Sequence, residues 1–218
     1  MADFAKARRN MVDCQLRTNK VVDPAVIAAF ETVPRERFVD AQRQAIAYID
    51  EDVPIGNRRY LMEAMVFARI LQELAIGPDD IVLDVGCATG YSSAVLSRLA
   101  ATVVALESDH DLATRANSLL TELAADNAIV VEGPLAEGYP AQCPYDAIWI
   151  GGAVAEVPAA VTGQLAEGGR LATIIDRGTA PGEAVLMLKR SGIVSQRALF
   201  DANVPRLPGF EPKMGFVF

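Results

Sequence analysis

The chain has 218 residues, 51% of them hydrophobic, with 28 acidic against 20 basic side chains and a formal net charge of −8. That length suits one domain, or one domain with a small appendage. The acidic balance argues against holding nucleic acid through a general field. No apolar run reaches the ~18 residues of a membrane span, and residues 1–9 show no apolar signal-peptide core. Three scattered cysteines, Cys14, Cys87 and Cys143, and a lone His110 argue against a zinc or His-based metal site. They are expected of a chain in a reducing cytoplasm.

Residues 3–18 read as a helix with Met11, Val12 and Leu16 on one side. Asp23 is a fitting N-cap and Pro24 a fitting first-turn residue for a second helix over 24–32, which Val33-Pro34 ends. Residues 35–56 are mixed and are broken by Pro54 and Gly56. A third helix, amphipathic through Met62, Met65, Val66, Ile70, Leu71 and Leu74, is predicted over 61–75. Gly77-Pro78-Asp79-Asp80 then turns the chain into a strand.

That strand, Ile81-Val82-Leu83-Asp84-Val85, is short, apolar and rich in β-branched residues, as a buried parallel strand is. Gly86-Cys87-Ala88-Thr89-Gly90 follows as a tight loop, and a helical segment opens at Tyr91. The next strand, 101–106, ends in Glu107, an acid placed to accept hydrogen bonds from both hydroxyls of a ribose. Two nucleotide classes fit such an acid. A dinucleotide site prefers Gly-x-Gly-x-x-Gly and an apolar residue at 84. Here the spacing is Gly-x-x-x-Gly, and the Asp84 carboxylate opposes a pyrophosphate but suits a ligand with an ammonium group. The pattern therefore favours S-adenosylmethionine over a nicotinamide dinucleotide.

A long helix is predicted over 109–124, with His110 on the surface near its start. A third strand follows at 128–132 and a loop at 133–143. The fourth strand, 145–150, runs into Gly151-Gly152-Ala153, with Trp149 expected in the core. A helix over 157–165, a fifth strand over 170–175 and two antiparallel strands, 184–190 and 194–200, complete the pattern. Residues 215–218 are a candidate for one more short strand.

Over about 11–175 the chain resembles the protein-L-isoaspartate O-methyltransferase family. The likeness rests on Met11-Val12, Gln15-Leu16, Val22-Asp23, Val33-Pro34-Arg35-Glu36, Phe38-Val39, Ala47-Tyr48-x-Asp50 and Pro54-Ile55-Gly56. It continues through Val82-Leu83-Asp84-Val85-Gly86, Gly90-Tyr91-Ser92-Ser93-Ala94-Val95-Leu96, Glu107, Pro144-Tyr145-Asp146-Ala147-Ile148, Gln164-Leu165 and Gly168-Gly169-Arg170-Leu171. The resemblance implies an α/β fold: a Rossmann-like, seven-strand class I methyltransferase sheet, mostly parallel, with an antiparallel C-terminal edge. A helical cap over 1–76 would precede a cofactor-binding core over 77–218. It also implies S-adenosyl-L-methionine as cofactor and methyl esterification of a carboxylate. The cofactor would be held by Asp84, Gly86, Cys87, Ala88, Gly90 and Tyr91 on the first unit and by Glu107 and Ser108 on the second. Gly133, Pro134 and Leu135 would lie beside the adenine. No metal is implied.

Two departures from the family pattern bear on function. The family usually continues Pro-Ile-Gly with Gln-Thr-Ile-Ser, over the donor and the acceptor. This chain has Gly56-Asn57-Arg58-Arg59-Tyr60-Leu61-Met62, with Tyr60 where the serine would be. The family's Gly-Asp after the third strand is here Gly133-Pro134. Tyr60, Arg58 and Arg59 are thus the candidate acceptor-side residues. Either arginine could hold a carboxylate bidentately, and both could equally be solvated. The expected partner is a carboxylate-bearing peptide, protein or small molecule, with no nucleic acid or membrane. The alternatives are a methyltransferase for another acceptor and a non-catalytic S-adenosylmethionine-binding protein that keeps the fold. A nucleic-acid methyltransferase is disfavoured by Gly151-Gly152-Ala153, where an Asn/Asp-Pro-Pro-aromatic run would be expected.

Overall fold

The computed structural model describes residues 3–178 and 180–210. Helix α1 (Phe4–Met11) is capped by Asp3, whose side chain accepts from the Lys6 amide. The chain then winds more widely through a π-turn, Val12–Leu16, and tightens into a 3₁₀ turn, Arg17–Asn19, ending at left-handed Lys20. The region read from sequence as one helix therefore changes winding twice, and Met11, Val12 and Leu16 all stay buried. Helix α2 (Pro24–Thr32) starts as its sequence dictates, with Asp23 accepting from the Ala25 and Val26 amides.

Strands β1 (Val53–Gly56) and β2 (Arg59–Leu61) form a hairpin of their own. Its turn residues, Asn57 and Arg58, have φ of 51° and 56°. Two left-handed residues are what a tight hairpin needs, because their twist matches that of the strands. Leu61 had the periodicity of the following helix, yet it pairs with Val53 as the last residue of β2. The Asp52 carboxylate accepts from the Glu63 amide, and only then does helix α3 (Ala64–Leu74) begin.

Among the described residues, seven strands make the main sheet. After β3 (Ile81–Val85), helix α4 (Tyr91–Leu96) leads to β4 (Thr102–Glu107), and helix α5 (His110–Glu122) leads to β5 (Ala128–Glu132). Then come β6 (Tyr145–Val154), a short helix α6 (Ala159–Thr162), β7 (Leu165–Ile175), β8 (Glu183–Arg190) and β9 (Ile193–Asp201). The spatial order is β5-β4-β3-β6-β7-β8-β9. Strands β3 to β7 run parallel, and β8 and β9 are antiparallel to their neighbours. Strands β6 and β7 are longer than their apolar runs suggest, because β6 continues through Gly151 and Gly152 and the pair carries two irregularities in register. The predicted loop 133–143 contains two 3₁₀ turns. The candidate strand at 215–218 lies outside the described residues.

The strand order reverses between β3 and β6. In open α/β sheets a ligand crevice forms outside the carboxyl ends of the strands at such a point. The N-terminal third packs there. Phe30 and Phe67 pack tilted at 5.6 Å, Phe38 and Tyr91 edge-on at 5.4 Å, and Phe67 and Trp149 tilted at 5.3 Å between ring centroids. Arg35 is fully buried among them, with its guanidinium 4.9 Å over the Tyr91 ring. Its Nε donates to the Ala47 carbonyl at 2.6 Å and its Nη2 to the Met62 carbonyl at 2.5 Å. It thereby ties the exit of the hairpin to the start of α4. No helix among the described residues is long and apolar enough to cross a membrane.

Candidate functional site

Asp84, on β3, is fully buried. Its Oδ2 accepts from Ser92 Oγ at 2.7 Å and Ser93 Oγ at 2.6 Å, both on α4. Its Oδ1 is buried without a partner. Burial pushes its pKa up to about 6 against the pull of the two hydroxyls, because a carboxylate loses more solvation than a carboxylic acid. The loop from Gly86 is pinned to the neighbouring strand: the Gly86 and Cys87 amides both donate to the Leu106 carbonyl, at 2.8 and 3.1 Å. Gly86 has φ +81°, and a Cβ there would stand 2.9 Å from Leu207 Cδ1 and 3.1 Å from Arg59 Nη2. Only glycine meets both conditions.

Glu107, at the end of β4, is fully buried and richly bonded. Its Oε2 accepts from the Ala88 amide at 2.7 Å. Its Oε1 accepts from the Ser108 amide at 2.8 Å, the Asp109 amide at 3.1 Å and Arg59 Nη1 at 2.6 Å. Arg59 Nη2 donates to the Gly86 carbonyl at 2.7 Å. Arg59 is 5% exposed, so it is not a solvated loop arginine. The fold turns it inward onto Glu107, and it also borders the cleft that Arg58 and Tyr60 line. The reason is alternation along β2, which buries Arg59 and Leu61 and leaves Tyr60 outside.

Arg58 is exposed at the turn. Tyr60 is 40% exposed and lines a cleft with Ile55, Met62, Phe67, Gly86, Ala88 and Trp149. A second cleft, lined by Arg58, Arg59, Arg206 and Leu207, shares Tyr60, Met62 and Gly151 with the first. Cys87 and Tyr91 are buried at the floor of the first cleft, where burial raises both their pKa values. Ser108 is exposed beyond Glu107. The Gly133 amide donates to the Glu107 carbonyl at 3.0 Å; Pro134 is exposed and Leu135 is buried. His110 lies on the surface, 3.0 Å from Glu132, which raises its pKa. Among the described residues no cluster of His, Cys, Asp or Glu could hold a metal ion.

Sequence reasoning missed two participants. One is the Arg59–Glu107 pair. Reading Asn57-Arg58 as a hairpin turn would have found the inward side of β2. The other is the segment around Leu207, which covers Gly86; the Leu207 amide donates to the Ala153 carbonyl and the Ala153 amide to the Pro205 carbonyl, at 2.8 and 3.1 Å. No local pattern marks that return of the chain.

Residues 7–202 match the family model described as protein-L-isoaspartate(D-aspartate) O-methyltransferase. A protein-L-isoaspartate O-methyltransferase of Methanoregula boonei is 37% identical over 185 residues, covering 85% of this chain and 84% of the relative. That of Koribacter versatilis is 37% identical over 201 residues, covering 92% and 90%. Among solved structures, one named protein-L-isoaspartate O-methyltransferase aligns over 93% of this chain and 67% of its own, with a TM-score of 0.83 at 24% identity. A Plasmodium falciparum structure, described as a protein of that kind in complex with S-adenosyl-L-homocysteine, aligns over 96% and 100%, with a TM-score of 0.79 at 20% identity. The chain belongs to the protein-L-isoaspartate(D-aspartate) O-methyltransferase family.

Proposed function

We propose, from membership in that family, that the chain is an S-adenosylmethionine-dependent O-methyltransferase that esterifies a carboxylate. The observation that carries this reading is the placement of Glu107, buried at the tip of β4 beside the Gly86–Gly90 loop at the switch point of the sheet. The residues suit the donor in kind. Glu107 is an acceptor for a ribose diol, and the unpartnered Asp84 Oδ1 is an acceptor for an ammonium group. The Gly133–Leu135 turn offers an apolar, acid-free seat for an adenine. When bound, the donor supplies a methyl group already activated by its sulfonium charge.

The chain's own work is then alignment and exclusion of water. A carboxylate acceptor is ionised at neutral pH, so no general base is required of any side chain. Phe67, Met62 and Trp149 wall the cleft against water, and correct alignment is worth up to about 7–11 kcal/mol. The exposed guanidinium of Arg58 stands at the mouth of the second cleft, where it can orient a carboxylate.

The acceptor differs from an ordinary isoaspartyl peptide. Tyr60 stands at the cleft mouth where the family pattern has a small hydroxyl residue, and its ring takes up room for a peptide backbone. Labelled methyl transfer to one isoaspartyl peptide, to small dicarboxylates and to cell extract tests this. The wild type should turn the peptide over slowly, and Tyr60→Ser should turn it over faster, with transfer to another carboxylate exceeding both. Wild-type turnover of the peptide at about 1 per second or more, the ordinary enzymatic range, would return the chain to isoaspartyl repair. Donor binding with no transfer to any acceptor would favour a non-catalytic binding protein.

A further inference from the structure

The acid expected to receive the donor's ribose already has partners on both oxygens. A carboxylate offers about four lone-pair sites. At Glu107, Oε1 is shared by four donors, the Ser108 amide and hydroxyl, the Asp109 amide and Arg59, more than its two lone pairs, while Oε2 accepts from the Ala88 amide. Arg59 also spans to the Gly86 carbonyl, so its guanidinium lies across the ground between the glycine loop and the ribose acid. Glu107 lines neither cleft, whereas Arg59 lines the second.

We propose that Arg59 is an internal competitor for the donor site, and that donor binding exchanges it for the ribose diol and releases it toward the acceptor. This rests on the S-adenosylmethionine reading above. Arg59 sits on β2 of a two-stranded hairpin that is separate from the main sheet, and it already borders the second cleft beside Arg58 and Tyr60. A short rotation about its own side chain takes it from Glu107 into that cleft. After the exchange the Glu107 charge is held by the Ala88, Ser108 and Asp109 amides together with the diol. The diol replaces a buried ion pair at Glu107, and the freed guanidinium no longer faces a cationic donor. It becomes available as a bidentate partner for a carboxylate. Donor and acceptor binding are thereby coupled, and by linkage each must favour the other to the same degree. Arg59 is a positioning residue in this scheme: it sets the order of binding and then orients the acceptor.

Calorimetry with S-adenosyl-L-homocysteine as the probe tests the exchange, on wild type, Arg59→Gln and Arg59→Lys. If Arg59 occludes the site in ~90–99% of molecules, removing it tightens binding by about 10–100-fold. Arg59→Gln should show that gain, and Arg59→Lys a smaller one, since an ammonium cannot span both Glu107 and Gly86. A merely structural arginine would give weaker binding, not tighter. Acetate replacing chloride at constant ionic strength is the probe for the released cation. It should tighten homocysteine-nucleoside binding in wild type and not in Arg59→Gln. Wild type binding as tightly as both variants would overturn the exchange while leaving the donor reading intact. Tighter binding by Arg59→Gln with no acetate effect in wild type would overturn the hand-over to the acceptor. Binding by none of the three proteins would overturn the donor reading and the exchange together.

Discussion

Asp84 shows how one residue can be stabilised locally and still oppose folding. Two serine hydroxyls favour its charged form, yet full burial outweighs them and raises the pKa to about 6. An acid whose folded pKa lies above its unfolded value of ~3.9 binds more protons folded than unfolded between those two values. Its contribution to stability therefore falls as pH rises from about 4 to about 6, and the full penalty is present at pH 7. Asp84→Asn keeps an acceptor for Ser92 and Ser93 and removes the charge. The variant should melt higher than wild type at pH 7.5, and the difference should shrink toward pH 4. A gap that is constant with pH, or widest in acid, would remove the buried charge as its cause. The positions of Asp84, Gly86, Gly90 and Glu107 were legible in the sequence because each sits near a strand end or in a tight turn, which local pattern marks. Arg59 was not, because its partner lies 48 positions away and its inward direction depends on the register of a hairpin.

That hairpin carries a local conflict of its own. Asn57 tolerates the left-handed region through its short polar side chain, but Arg58 gains nothing there. A residue held in that region costs about 1–2 kcal/mol, part of which glycine would give back in unfolded-state entropy. Arg58→Gly makes the turn Asn-Gly, the favoured pair for a tight hairpin. It should stabilise the protein by about 0.5–1 kcal/mol, a rise in Tm of a few degrees for a chain of this size. Any loss of acceptor affinity in the same variant would appear in KM, separately from the melt. A lower Tm would show that the Arg58 side chain contributes more than its backbone costs. The same hairpin explains a boundary the sequence misplaced. Leu61 and Met62 fit the apolar face of the next helix, but pairing with Val53 holds Leu61 extended. Pairing between strands is a tertiary fact that periodicity within a helix does not contain. Helix α2 was legible to the residue, because Asp23 and Pro24 fix its start and Val33-Pro34 its end.

At the scale of the molecule, the N-terminal third and the sheet share one core. Met11, Leu16, Phe30, Phe38 and Phe67 belong to the same continuous cluster as Val82, Trp149 and Ala172. Helix α3 packs on both β7 and β8, and Arg35 donates from Nε and Nη2 to the carbonyls of Ala47 and Met62 while lying over the Tyr91 ring. A cap joined only at its rim would unfold ahead of the sheet. Rings interleaved across the seam do not permit that, since each large side chain contributes about 1.5–3 kcal/mol by burial and removal of the N-terminal third would expose Trp149 and its neighbours. Trp149 is the sole tryptophan and is 1% exposed, in contact with Phe67 of α3, so its fluorescence reports the seam. Far-UV circular dichroism reports the helices and the sheet together. In urea the two signals should superimpose on a single transition, and a chain starting at residue 77 should show no cooperative transition at all. An earlier fluorescence midpoint would mean that the helices come away first. The donor site would then be assembled by docking of two parts rather than by one folding event, and the Arg59–Glu107 pair would be the bond that closes them.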